Sequence, residues 1–174
     1  MNNAFEFLIS TAFSLYTAAL ILRVWMQLVQ ANYFSPVAEM IRKVTNPVVQ
    51  PLRKVIPNAG KIDIAGILLT VGFTVLHYFV IMQIRGVSAP ALDLVLFSLQ
   101  QLLLQVLSLM FWILIVRAIM SWFSNGSNPL EYVLMELTEP MLRPIRRVLP
   151  PMGGLDLSVL ILIVAIQFFR IALQ

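Results

Sequence analysis

The residues with the most chemical potential in this 174-residue sequence are few, and they recur. Arg53-Lys54 follows Pro47 and Pro51 and precedes Pro57; Arg146-Arg147 follows Pro140 and Pro144 and precedes Pro150. A glycine and an aspartate come next at matching distances, Gly60 with Asp63 and Gly153 with Asp156. Two adjacent cations held by rigid bends suit an anionic lipid headgroup, at about 1 kcal/mol per charge near a membrane surface, or an acidic protein partner. The plainer reading is a solvated pair that only sets topology. Asp63 and Asp156 stand directly before apolar runs, where a carboxylate caps a helix. Pairing with an arginine of the same motif is the sharper alternative.

Other candidate groups lie inside apolar runs. His77 is the one histidine, and Gly66, Thr70, Thr74 and His77 fall at i, i+4, i+8 and i+11, one helical face. Small and hydroxyl residues on one face suit a helix–helix seam, so hydrogen-bonded packing is favoured over proton or haem chemistry. Ser98, Gln101, Gln105 and Ser108 form a similar stripe, as do Glu6, Ser10, Ser14 and Thr17. Such stripes join helices or line a polar path. No HExxH, glycine-rich phosphate loop or GxSxG elbow occurs, and the absence of cysteine removes thiol chemistry and thiolate metal sites. The expectation is a non-enzyme without catalytic, cofactor or metal residues. The basic charge lacks the interleaved aromatics of a nucleic-acid surface, so no nucleic-acid partner is expected.

The elements that position these groups must sit in lipid. Sixty per cent of residues are hydrophobic, only 11% are charged, and the mean hydropathy is +0.89. A soluble chain of this size has too little interior to hide so much apolar side chain. Four apolar stretches, Phe5 to Leu28, Ile64 to Ile84, Leu94 to Val116 and Leu157 to Leu173, each approach the 17–25 residues that cross a bilayer. The fourth is at the short limit. The third lies in a longer run, Leu92 to Trp122, that must tilt or begin in the interface. The first has no basic residue before it and is too long for a signal-peptide core, so it reads as a retained anchor.

Pro36 to Asp63 aligns without gaps on Pro129 to Asp156 at a constant offset of 93, matching Thr45 with Thr138 besides the prolines, glycines and aspartates above. With one gap, Arg23 and Met26 meet Arg117 and Met120. Two units follow, residues 1–84 and 92–174, each a spanning helix, a connector and another spanning helix. The expected fold is an all-α membrane protein with four transmembrane helices in two parallel tandem repeats. Ten of the twelve basic residues lie in the connectors or at the helix ends beside them; only Arg85 and Arg170 lie at the other face. The positive-inside rule then places both connectors in the cytoplasm and both termini outside. Arg23 and Arg117 should snorkel to that face.

Each connector opens on a cap and a proline, Ser35-Pro36 and Asn128-Pro129. Val37, Met40, Ile41 and Val44, and Leu130, Val133, Leu134 and Leu137, then form apolar stripes for the headgroup layer or for the protein's own helices. The three prolines that follow in each connector should limit it to short bent turns.

This tandem pattern, Asn46-Pro47 through Pro51, Arg53-Lys54, Pro57, Gly60 and Asp63, then Pro140 through Pro144, Arg146-Arg147, Pro150, Gly153 and Asp156, resembles the YggT (YlmG) family. Ser121-Trp122 and Glu131-Tyr132-Val133-Leu134 strengthen the likeness, which covers nearly the whole chain. Lys54 replaces the second arginine, and Ile64-Ala65 stands opposite Leu157-Ser158, so the second half keeps the motif more fully. The resemblance implies a small integral membrane protein of the bacterial inner membrane, in a family connected with envelope organisation, cell division, osmotic tolerance and, in plastids, cytochrome complex assembly. It supports a non-enzymatic scaffold or assembly factor whose connectors bind anionic lipid or a protein partner. The alternative is a small transporter or channel component serving osmotic-stress tolerance.

Overall fold

The computed structural model describes residues 2–32, 35–56, 60, 62–123, 128–148 and 156–174, without the side chains of residues 2, 3, 122 and 123. The expectations placed on Pro57, Pro150 and Gly153 lie outside the described residues. The described residues form six helices: α1 (Asn2–Leu28), α2 (Pro36–Val55), α3 (Ile64–Arg85), α4 (Ala91–Phe123), α5 (Pro129–Val148) and α6 (Leu157–Ala172). Three segments, Ala4–Leu28, Ile64–Arg85 and Ala91–Ser121, are long and apolar enough to cross a membrane. At 16 residues, α6 is apolar but only about 24 Å long at 1.5 Å per residue.

The helix boundaries follow local chemistry. Ser35 Oγ accepts from the Ala38 N–H at 3.1 Å with Pro36 just inside the helix, and Asn128 Oδ1 accepts from the Leu130 N–H at 3.0 Å. Gly86 ends α3 at φ +65°, and Gly60 takes φ +59° in the turn towards α3, conformations that a side chain would strain.

The prolines do not stop the connector helices. α2 runs through Pro47 and Pro51, and α5 through Pro140 and Pro144, so the expectation of short bent turns is corrected. Each pair is spaced by four and therefore lies on one side of its helix, and all four prolines are exposed. The carbonyls that lose an intrahelical donor thus lie where water or headgroups can reach them. Relief of the ring clash curves such a helix away from its proline side, here around the other helices. The opposite side is anchored by Ala38, Ile41, Thr45 and Val49 in α2, and by Val133, Leu134, Leu137, Thr138 and Leu142 in α5, all buried.

The apolar stripes divide differently in the two connectors. Three of the four α5 stripe residues are buried, but in α2 Met40 and Val44 are exposed and Ile41 alone is fully covered. α2 carries a second apolar strip, Met40, Val44 and Val48, that is exposed among the described residues. α1 packs on α3, α4 packs on α6, and α3 meets α4. α2 and α5 meet across the end where Trp25, Met26, Ile41, Ile113, Val133 and Leu137 form the main apolar core.

Candidate functional site

Beside that core, each half gathers an arginine from its long apolar helix, a threonine from its connector helix, the first basic residue of the proline motif and the aspartate that follows. In the first half Arg23, on α1, donates through Nη1 to Thr45 Oγ1 at 2.6 Å and to Asn46 Oδ1 at 2.7 Å. Thr45 donates its own hydroxyl hydrogen to the Ile41 carbonyl at 2.7 Å, so the hydroxyl both accepts and donates. Arg53 grips Asp63 with Nε and Nη2 and also donates to Gln27 Oε1 at 2.6 Å. Arg23 Nε lies 3.6 Å from Asp63 Oδ2. The Asp63 side chain is fully buried, and its one carboxylate is shared by the buried Arg23 and the partly exposed Arg53.

The second half repeats this with one addition. Arg117 donates to Thr138 Oγ1, which donates to the Leu134 carbonyl at 2.7 Å. Arg146 grips Asp156 through Nε and Nη2, and its Nη1 donates to both oxygens of Glu139 at 2.9 and 3.0 Å. Glu139 also lies 3.6 Å from Arg117. The bond to Asp156 holds the Arg146 guanidinium above its usual range. Burial works to raise the Asp156 carboxyl, but bonds from Ser158 and Arg146 outweigh it and leave that carboxyl below the ordinary aspartate value.

Both aspartates do both things weighed for them. Asp63 accepts from the Gly66 N–H at 3.0 Å and Asp156 from the Ser158 N–H at 3.1 Å, each capping the next helix while holding an arginine. The basic pairs divide: Arg53 and Arg146 turn to the aspartates, while Lys54 and Arg147 are exposed. Arg23 and Arg117 do not snorkel, because both are at least nine-tenths buried. A charged hydrogen-bond network deep in the protein outcompetes the headgroup layer for their guanidinium groups. Thr45 and Thr138 had no role in the sequence reading, although their recurrence with Arg23 and Arg117 was the available signal.

Several of the candidates inside the apolar helices occupy packed positions. Gly66, Thr70, Thr74 and His77 are all buried on one face of α3. His77 contributes by ring contact, stacked on Phe13 at 5.0 Å and 11°, and its buried Nε2 has no hydrogen-bond partner among the described residues. Thr70 and Thr74 return their hydroxyls to the carbonyls of Gly66 and Thr70. On α4, Ser98 bonds to the Leu94 carbonyl, and Gln105 donates across to the Ser14 carbonyl of α1 at 2.9 Å. Glu6 pairs with Arg85 at the other end of α1 and α3.

Known proteins match nearly the whole chain. The CCB3/YggT family model matches residues 2–84 and again 96–174. A Vibrio alginolyticus protein from the proC 3' region is 45% identical over 168 residues, covering 95% of this chain and 91% of that one. The Escherichia coli K12 protein YggT is 42% identical over 162 residues, covering 92% and 84%. A Haemophilus influenzae relative is 32% identical over 165 residues, covering 93% and 87%. No solved structure matches the chain.

Proposed function

The chain belongs to the CCB3/YggT family, and from that premise we propose that it is a non-enzymatic scaffold or assembly factor of the bacterial inner membrane, with connectors that engage anionic lipid or a protein partner. In this reading α1, α3, α4 and α6 are four spans in two parallel repeats. α2 and α5 lie at the cytoplasmic surface, and both termini face outwards. The short α6 is accommodated by local thinning of the bilayer.

The observation that carries the proposal is the two-sided build of α2. One side is locked into the core, while Met40, Val44, Val48 and Val55 are exposed beside Lys54. An apolar strip edged by cations is what an interfacial helix presents to anionic headgroups. α5 offers a smaller version with Met135, Val148 and Arg147. Gln105 of the α4 stripe bonds to the Ser14 carbonyl of α1, and the groove of about 320 Å³ between the halves is walled by residues such as Val24, Leu28, Ile67, Leu102, Val106 and Met110. Apolar walls suit an acyl chain better than a polar solute, which favours a scaffold over a transporter.

The test combines topology and binding. With no native cysteine, Glu39→Cys and Ser88→Cys each supply a lone thiol. An impermeant reagent added from outside should label the Ser88 position and spare the Glu39 position; the reverse would overturn the orientation. Lys54→Gln with Arg147→Gln should weaken retention of the purified protein on anionic vesicles and its in-cell crosslinks from α5. Unchanged values in both assays would reduce these cations to topological signals.

A further inference from the structure

The two halves differ in how they balance buried charge, and the first leaves a cavity where the difference lies. The cavity is about 250 Å³ and sits between α1 and α2. Arg23, Arg42 and Arg53 line it with the amides of Gln27, Asn46 and Gln50, and no carboxylate is among its described lining residues. Met26, Ala31, Ala38 and Ile41 supply apolar wall. We propose that this cavity is an anion site that takes a phosphate-type oxyanion, as a lipid headgroup or as free phosphate.

The second half shows what the first lacks. At the offset of 93, Asn46 stands opposite Glu139 and Arg42 opposite Met135. Glu139 is the carboxylate that reaches both Arg117 and Arg146. That network has two guanidiniums and two carboxylates, with Arg143, opposite Gln50, exposed outside it. In the first half two guanidiniums, Arg23 and Arg53, share the single carboxylate of Asp63, and Arg42 also lines the cavity. Glu39, on the same helix, is exposed and bonded to Lys43 at 2.9 Å, outside the cavity lining.

Arg23 is more than nine-tenths buried, and a cation held away from water is costly unless anions balance it and its neighbours. Guanidinium forks match the paired oxygens of a phosphate, and side-chain amides complete its shell. Apolar walls strengthen such bonds by excluding water. The volume equals about eight waters at ~30 Å³ each, room for a phosphate and part of its hydration. The proposal depends on the scaffold reading only for the lipid as a source, because free phosphate requires no membrane.

The experiment uses the full chain in a neutral maltoside detergent at low salt. Native mass spectrometry measures retention of phosphatidylglycerol against phosphatidylcholine, and titration calorimetry measures binding of inorganic phosphate. The parent should hold one phosphate-type anion per chain. Asn46→Asp places a carboxylate where the second half has one and should weaken binding at least about tenfold, as should Arg42→Gln; Arg147→Gln should leave it unchanged. Melting of Asn46→Asp at or above the parent temperature separates lost binding from lost folding, even if Arg42→Gln folds poorly. Retention of phosphatidylglycerol without phosphate binding assigns the lipid source, and phosphate binding alone assigns the soluble one. A parent that binds neither, or an Asn46→Asp protein that binds like the parent, overturns the proposal. Vesicle association through Lys54 and Arg147 is read separately, so either proposal can fail without the other.

Discussion

In the first half Arg23 and Arg53 share Asp63, whereas in the second Arg117 and Arg146 are served by Glu139 and Asp156. The aspartates differ in setting as well. The Asp63 side chain is fully buried, and that of Asp156 is 35% exposed. Part of the reason is one residue in the following helix. Gly66 lets Asp63 come so close that a Cβ there would stand 2.6 Å from Oδ2, and Val159 holds the equivalent place in α6. Asp156 instead gains a donor, the Ser158 hydroxyl, where the first half has Ala65. One motif thus yields a dry network centred on a single carboxylate and a wetter one with its charges matched. A sequence comparison alone would rank the second half as the better-kept copy, yet the first buries its charges more deeply.

The comparison can be broken most directly at the aspartates. Asp63→Asn leaves the buried Arg23 and the partly buried Arg53 without their carboxylate and should cost about 3–5 kcal/mol. Asp156→Asn, partly solvated and with Glu139 still in place, should cost only about 1 kcal/mol. Denaturant unfolding in neutral detergent compares the two; equal losses would erase the distinction between the halves.

The threonines test what the halves share. Thr45→Val and Thr138→Val each remove the oxygen that accepts from a buried arginine, at about 1.5–3 kcal/mol apiece. Here the two losses should agree in the same unfolding assay. A large disparity would show that one arginine is held mainly by its other partners.

Gly66→Ala must displace the Asp63 carboxylate or Val24, where a Cβ would come within 2.9 Å of Cγ2, and should destabilise by about 1–3 kcal/mol. Gly72→Ala, on the same helix with nothing within 4 Å of its Cβ position, should stabilise by about 0.5–1 kcal/mol. Opposite shifts in melting temperature are expected. A shift in the same direction for both would remove close approach as the reason for Gly66.

The smallest effect is acid sensitivity of the second half. The Asp156 carboxyl is lowered when folded, so its contribution is present above the unfolded aspartate value near 3.8 and is lost as pH falls through the lower folded value. Stability measured downwards from pH 5 should therefore decline less steeply in Asp156→Asn than in the parent. Parallel curves would mean that the Arg146 bond contributes nothing to folding.

Much of the candidate site was legible as a set of positions. The offset of 93 picks out Thr45 with Thr138 and Asp63 with Asp156, and one gap adds Arg23 with Arg117. These are most of the residues that meet in the structure. Their mutual contacts were less legible, because an arginine at a helix end can reach outwards to headgroups or inwards to a hydroxyl with similar ease. Which it does depends on whether another helix brings the hydroxyl within reach. α2 and α5 do so by continuing through their prolines, which local propensity opposes and the burial of Ile41, Val49, Leu137 and Leu142 offsets.

By itself the sequence determined that the chain carries stretches apolar enough to cross a membrane, that it is helical, and that one motif is used twice, since hydropathy, period and spacing are local properties of the chain. Only the tertiary structure decided which face of α2 is covered, because two apolar strips compete there and neighbouring helices choose between them. It alone turned Asn46 opposite Glu139 from a minor substitution into a difference in buried charge. Charge balance belongs to a volume of space, and three separate stretches of chain must meet before that volume exists.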